Sequence, residues 1–247
     1  MEDLQKTDLV YLQDSYKFED EAKVIAIDTT PEGKTFVMLD KTIFYPQGGG
    51  QPYDKGTITS ENNTFTVNEV RFKDGFVYHF GEFPSGNFTI GTSVKLHIDK
   101  ERRKLHCRLH SGGHLVDTGV HALGYDLIGV KGYHFPDGPY IEYTGVLNGD
   151  LTIVAQQLEK KLNELIQAGY SVRTEIVGSV DELKGRCFHI PEYLPKDKPI
   201  RLVFVCGEIG EPCGGTHVKD LKEVGKIHIP KIKAKGENLR ISYTIEE

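Results

Sequence analysis

The chain predicts an α+β protein in two parts. Closely spaced short strands fill its first hundred residues. Two amphipathic helices and further strands follow, and the composition is that of an ordinary globular chain, 38% hydrophobic and 27% charged over 247 residues. That length suits two modest domains. The boundary is expected near residue 95, giving domains at 1–95 and 96–247.

In the first part, Lys34 to Phe44 is rich in β-branched and aromatic residues and reads as a strand. A Gly/Pro loop, PQGGGQPYDKG, follows it. Thr57–Thr59, Thr64–Phe72, Phe76–Phe80 and Val94–Ile98 read as further short strands. Asn62-Asn63 and Lys73-Asp74-Gly75 supply turn signals between them. Such spacing predicts a small barrel or a sandwich.

Helical signals begin at Asp99. Leu105, Leu109, Val116 and Val120 recur near helical spacing between Glu101 and Leu123, and Gly124 ends the run. Asp150 is placed to cap a second helix through Ala168, with Ile153, Val154, Leu158, Leu162, Leu165 and Ile166 as its apolar stripe and Gly169 at C′. Ser171–Val177 and Pro199–Val205 are strand-like. Lys226–Lys233 and Leu239–Ile245 read as a closing hairpin. Within it Lys231, Lys233 and Lys235 alternate with Ile232 and Ala234, so period two sets the three lysines on one face and the apolar pair on the other.

Charge is unevenly placed. Residues 1–98 hold 9 Lys and Arg against 15 Asp and Glu, whereas residues 99–247 hold 21 of each, so the whole net −6 lies in the first part. The basic residues of the second part cluster at Arg102–Arg108 and at Lys219–Arg240. Local contact with a polyanion is thus compatible with an acidic chain. No run approaches the roughly 20 apolar residues that cross a bilayer, and the opening residues lack the basic and apolar regions of a secretory signal. A cytoplasmic protein is expected. Four cysteines, Cys107, Cys187, Cys206 and Cys213, are too few for a disulfide scaffold. Cys187 and Cys206 read as small buried residues.

Two short motifs carry chemistry. HSGGH places His110 and His114 four residues apart, on one face of the first helix. CGGTH places Cys213 and His217 about a glycine pair, Gly214 and Gly215, expected to let the backbone turn tightly. Together they form a CysHis₃ set, whose mixed thiolate and imidazole ligands favour one zinc ion. Spacing leaves open whether such a site is closed and structural or keeps a position for water. It does argue against a metalloprotease of the HExxH kind, because Ser111 stands where the general base would be. His121, one helical step beyond His114, reads as an ordinary surface histidine.

The combination of motifs resembles the editing domain of alanyl-tRNA synthetase and its freestanding AlaX-type relatives. FYPQGGGQPYDKG at 44–56 looks like the family's glycine-rich motif, and RRKLHCRLHSGGHL like its zinc helix. KGYHFPDGPYIEY at 131–143 is similar to the segment that follows, and EPCGGTHVKDLKEVGKIHIPKIKAKG resembles its C-terminal zinc motif and strands. The resemblance implies a translation-factor-like N-terminal barrel and an α+β editing domain of the kind shared with threonyl-tRNA synthetase, in the family's medium-length form. It implies hydrolysis of Ser or Gly from tRNA(Ala), with Zn2+ held by His110, His114, Cys213 and His217. Gly49, Gly50 and Gln51 become candidates for the chemistry, and Lys231, Lys233 and Lys235 for tRNA contact. His134 and Asp137 lie in a family-like segment without an assigned role. The alternative is a zinc-stabilised RNA-binding module without catalysis. Oligomeric state is left open by the sequence.

Overall fold

The computed structural model describes residues 5–194 and 198–246. The chain separates into two compact units, one of residues 1–48 and 52–105, the other of residues 49–51 and 106–247.

The first unit is a closed six-stranded barrel. Its strands are β1 (Glu19–Thr29), β2 (Thr35–Leu39), β3 (Gly56–Ser60), β4 (Asn63–Lys73), β5 (Phe76–Ser85) and β6 (Ser93–Ile98), arranged in the order β1-β2-β5-β4-β3 and closed through β6. Closure removes the exposed edges of a flat sheet. Alternation fills the interior: Val94, Leu96 and Ile98 from β6 meet Phe65, Val67 and Val70 from β4. The inward set on β4 changes parity after Val67, where a register shift lies between Val67 and Glu69. Asp74 and Gly75 turn the β4–β5 hairpin with φ of 54° and 90°, the left-handed pair that a two-residue hairpin needs.

The sequence reading did not find β1. Its first half, Glu19-Asp20-Glu21-Ala22-Lys23, looks like a charged loop, yet Ala22 and Val24 face the core, Glu19, Glu21 and Lys23 face outward, and the half-buried Asp20 pairs with Lys17 and Lys41. The segment read as one strand from Lys34 to Phe44 is two, β2 and the short Lys41–Thr42, which pairs in parallel with Asp8–Leu9.

The glycine-rich loop is stapled at its base within this unit. Asp54 accepts the Tyr45 backbone N–H at 2.7 Å and binds the Arg103 guanidinium, and both charged side chains are fully buried. Arg103 also donates to Ser15 O at 2.8 Å and to Ile43 O. Hydrogen bonds at the remaining sites of both side chains offset the cost of burying such a pair.

Helix α1 (Lys100–Ala122) starts at Asp99, whose carboxylate accepts the Arg102 N–H at 3.0 Å. The second unit then adds β7 (Ile128–Tyr133), β8 (Tyr140–Thr144), α2 (Leu151–Ala168), β9 (Arg173–Val177), β10 (Ile200–Phe204), β11 (Glu211–Pro212), β12 (Ile227–Lys235) and β13 (Asn238–Ile245). These strands form two sheets, β12-β13-β8-β7 and β9-β10-β11. The whole is α+β.

Asp150 caps α2 by accepting the Thr152 N–H at 2.7 Å, and Gly169 closes it with φ of 71°. Val154, Leu158, Leu162 and Ile166 are buried as the periodicity requires, but Ile153 is 53% exposed and lies off the stripe. Gly119 lets α1 and α2 approach, since a Cβ there would stand 2.5 Å from Leu162 Cδ2.

On β12 a register shift between His228 and Lys231 surrounds Pro230, which has no N–H for a ladder. Lys231, Lys233 and Lys235 share the exposed face beyond it. Ile232 is buried opposite them, whereas Ala234 is exposed. No helix among the described residues is long and apolar enough to cross a membrane.

Candidate metal centre

Four side chains from the two motifs converge in the second unit. The ligand atoms of His110, His114, Cys213 and His217 all lie within 4.8 Å of one another. Cys213 Sγ is 3.6 Å from His110 Nε2 and 3.4 Å from His217 Nε2. A tetrahedral zinc with ordinary Zn–S and Zn–N bonds separates sulfur from nitrogen by about 3.6 Å. The cluster is spaced as such an ion requires.

The helix supplies His110 and His114, whose ring centroids are 5.0 Å apart. The loop 213–217 supplies the others and is tied to β10. Cys213 N donates to Arg201 O at 3.0 Å, and the Arg201 guanidinium donates to Cys213 O at 2.9 Å and Gly215 O at 3.0 Å.

The glycines have roles that spacing alone did not reveal. Neither Gly214 nor Gly215 adopts a left-handed φ, so tight turning is not their function. Gly215 is needed for room: a Cβ there would lie 2.0 Å from His110 Cε1 and 2.3 Å from His110 Nδ1. Gly214 faces open space. In HSGGH, Gly113 admits His134, whose Cε1 would stand 2.3 Å from a Cβ at that position.

Two ligand rings are fixed from behind. His110 Nδ1 is 2.7 Å from Gln51 Oε1, which also accepts the Thr216 N–H at 3.0 Å, while Gln51 Nε2 donates to Thr216 Oγ1 at 2.8 Å. His217 Nδ1 is 3.0 Å from Ser111 Oγ, which accepts the Val218 N–H at 3.1 Å. Both rings thus turn Nε2 toward Cys213. Partners of this kind orient an imidazole for a metal and raise its basicity. Ser111, the residue that replaces a protease's glutamate, serves here to hold a ring. The Gln51 amide is fully buried and committed to His110 and Thr216.

Gly49 and Gly50 precede Gln51 with φ of 52° and 77°. Gly50 approaches β7 so closely that a Cβ would stand 2.4 Å from Gly132 O, and its own carbonyl accepts the His134 N–H at 2.9 Å.

Burial shapes the charge states. It holds His110 and His217 well below the usual imidazole pKa and brings His114 down to about 3. It pushes the Cys213 thiol up to about 11, against the opposing pull of the Gly215 N–H. Neutral imidazoles are the ligand form, and a bound cation would deprotonate the thiol. Beside them, the Glu211 carboxyl lies 3.4 Å from His114 Nδ1 and is pushed well up, by burial first and then by Asp117.

Sequence reasoning named His134 without a role and missed Tyr243 and Glu211. His134 stacks on His110 with centroids 4.5 Å apart, and its Nδ1 is 2.7 Å from the Tyr243 hydroxyl. Its place in KGYHFPDGPYIEY was the available signal. Asp137 accepts from the Tyr133 hydroxyl at 3.0 Å. His121 stacks on Phe188 at 3.9 Å and stays out of the cluster. Cys206 is buried and Cys187 is intermediate; both are free thiols.

Known proteins are similar to this chain over most of its length. Residues 3–102 match the model for class II (A) tRNA synthetases, and residues 200–241 match that for the threonyl and alanyl tRNA synthetase second additional domain. The alanyl-tRNA editing protein AlaX-M of Methanosarcina barkeri is 32% identical over 251 residues, covering 96% of this chain and 98% of its own. The chain belongs to the alanyl-tRNA editing protein family. AlaX-M of Pyrococcus horikoshii is 31% identical over 93% of this chain and 92% of its own. This editing-family chain also spans 57% of the longer AlaX-L of P. horikoshii, at 33% identity, and 24% of the alanine–tRNA ligase of Halobacterium salinarum, at 32%.

Proposed function

We propose that this family member is a trans-editing hydrolase that removes serine, and also glycine, from mischarged tRNA(Ala), using one zinc ion per chain. The observation that carries this reading is the buried CysHis₃ cluster with metal-like spacing, in a chain that matches proteins named for alanyl-tRNA editing. The substrate problem suits a second hydrolytic site. A synthetase pocket for alanine cannot sterically exclude glycine and rejects one added hydroxyl poorly.

A bound zinc would supply Lewis-acid polarisation or an acidified water. The protein's own residues hold and orient. His110, His114, Cys213 and His217 are the ligands. Gln51 acts as a positioning residue through His110, and Gly49 and Gly50 shape the backbone that delivers it. The exposed lysines Lys231, Lys233 and Lys235 contact tRNA phosphates. Lys235 is already shared with Glu142, 2.9 Å away, so Lys231 and Lys233 carry the larger part. Lys231 also borders a groove of ≈ 920 Å³ lined by Lys160, Lys222 and Lys226 together with Glu159. The reaction belongs in the cytoplasm, where charged tRNA is used.

The test is deacylation of Ser-tRNA(Ala), Gly-tRNA(Ala) and Ala-tRNA(Ala) by protein of measured zinc content. Loss of Ser and Gly with Ala spared is the expected result. Retention of all three esters by zinc-loaded protein that still binds tRNA would instead identify a non-catalytic RNA-binding module. Cys213→Ala is expected to lose zinc and activity together, and a zinc-replete variant would remove Cys213 from the ligand set.

A further inference from the structure

The sheet β12-β13-β8-β7 turns one face to the core and the other to solvent, and its register fixes what each face carries. Ile232, Ile241 and Ile141 stand side by side across β12, β13 and β8 and are buried. Side chains alternate along a strand, so the rows on either side of them point the other way. One such row runs Lys231, Ser242, Tyr140, Tyr133, and another runs Lys233, Arg240, Glu142, Lys131. Lys235 follows on β12. The acid among these cations is already engaged, since Glu142 Oε1 accepts from Lys235 Nζ at 2.9 Å and from Arg240 Nη2 at 2.6 Å. Lys131, Lys231 and Lys233 are exposed and make no ion pair among the described residues.

Aromatic rings stand in a column on the same face. Tyr133 and Tyr140 stack with centroids 5.2 Å apart and 17° between their planes. Phe135, two residues beyond Tyr133, stacks on Tyr133 at 4.5 Å and 11°. Arg240 closes one end of the column, its Cζ 3.7 Å from the Tyr140 centroid. The Tyr133 hydroxyl is anchored on Asp137 at 3.0 Å. Phe135 is the other end. It is half-buried, and among the described residues a ring covers only one of its faces. Filling a core does not account for the column, because it stands on the side of the sheet opposite the buried isoleucines.

A preformed stack that ends in an aromatic face, with cations beside it, suits unpaired nucleotides: a base extends the stack and the backbone follows the charges. A duplex keeps its bases stacked on one another and has none to offer. We infer that this face binds the unpaired 3′ end of tRNA, with one base stacked on Phe135 and neighbouring phosphates held by Lys131, Lys231 and Lys233. Lys131 lies two residues from Tyr133 on β7, and β12 lies three strand spacings away, about 14 Å. The place of Phe135 selects the 3′ end. Between Tyr133 and Phe135 in the chain is His134, which stacks on His110 of the metal cluster at 4.5 Å. A base on Phe135 is therefore one residue removed from the site where the ester has to arrive. The inference rests on tRNA being the partner, as proposed above, and adds which part of it meets the sheet and by what contact.

The experiment measures binding of the full chain to two uncharged tRNA(Ala) transcripts, one complete and one lacking its unpaired 3′ nucleotides, across a salt series. Phe135→Leu keeps an apolar side chain without a π face. It is expected to bind the complete tRNA about tenfold more weakly, about 1.4 kcal/mol, and the shortened tRNA as the natural protein does. Phe135→Tyr restores the face and should restore affinity. Lys131→Ala should lower the slope of log K against log salt by about 0.7, the single-strand value, on the complete tRNA only. Natural affinity in a folded Phe135→Leu variant, or an equal loss on both tRNAs, would overturn the inference. Should Phe135→Leu fail to fold, the exposed Lys131→Ala decides, and an unchanged slope or equal changes on both tRNAs would overturn it. Failure of the natural protein to bind either tRNA would instead overturn the editing function.

Discussion

Gly215→Ala isolates the geometry of the metal site with a single methyl group. The added Cβ would lie 2.0 Å from His110 Cε1, 2.3 Å from Nδ1 and 3.1 Å from Gln51 Oε1. Carbon–carbon contacts settle near 3.5 Å or more, so the ring must retreat by about 1.5 Å. His110 cannot retreat and keep both its 2.7 Å bond to Gln51 and its 3.6 Å spacing to Cys213 Sγ. Loss of an outer partner alone costs roughly 10–100-fold in metal affinity. Displacing the ligand as well should bring the loss to about 100-fold or more, about 2.7 kcal/mol. Gly214→Ala is the control. It adds the same methyl one residue earlier, into open space and without a left-handed backbone. Competition against a chromophoric zinc chelator measures both variants. Wild-type affinity in Gly215→Ala, or equal losses in the two variants, would refute the steric argument and with it His110 as a tightly placed ligand.

Two further expectations concern charge. Replacing Lys231, Lys233 and Lys235 with alanine should weaken tRNA binding most at low salt and reduce the slope of log K against log salt by about 2, since each free phosphate contact contributes roughly 0.7–0.9 and Lys235 is partly spent on Glu142; an unchanged slope would take the strand off the RNA surface. In the barrel, His79 is fully buried between Thr42 Oγ1 at 2.8 Å and Val37 O at 2.9 Å, and burial lowers its pKa to about 4. Its unfolded counterpart titrates near 6.5, so the unfolded chain takes up a proton first as pH falls. The stabilisation from keeping His79 neutral is complete above pH 6.5 and declines toward pH 4, by about 3 kcal/mol in all. Urea unfolding followed by circular dichroism between pH 7 and 4.5 should show a shallower pH dependence in His79→Gln than in the natural protein. Identical slopes would contradict this.

What the sequence displayed most plainly were features enforced locally. The Asp150 cap, the Gly169 stop and the Asp74-Gly75 hairpin each depend on the conformational preferences of one or two residues, and all three stand where the pattern put them. The four candidate ligands were legible for a similar reason, since helical spacing and a short loop bring each pair together before any tertiary contact is considered. What was not legible depends on distant neighbours. Strand β1 hides because a barrel wall can be acidic on its outer side. His134 could be noticed in its segment but given no role, because its place depends on Gly113 and Tyr243, 21 and 109 residues away in the chain. Gln51 could be singled out from GGGQ, but not that His110 would be its partner.

The path of the chain between its two units bears on how such a protein could be inherited or engineered. Residues 49–51 leave the barrel's contact set and join the other unit, after which the chain returns to the barrel until Leu105. A cut near residue 95 would look like a clean modular joint in a gene. The excised C-terminal piece would still encode all four candidate ligands, but it would lack the glutamine that holds one of them. Recombination that shuffles this metal-bearing module among larger proteins therefore has to carry the loop along with it or find another group to orient His110.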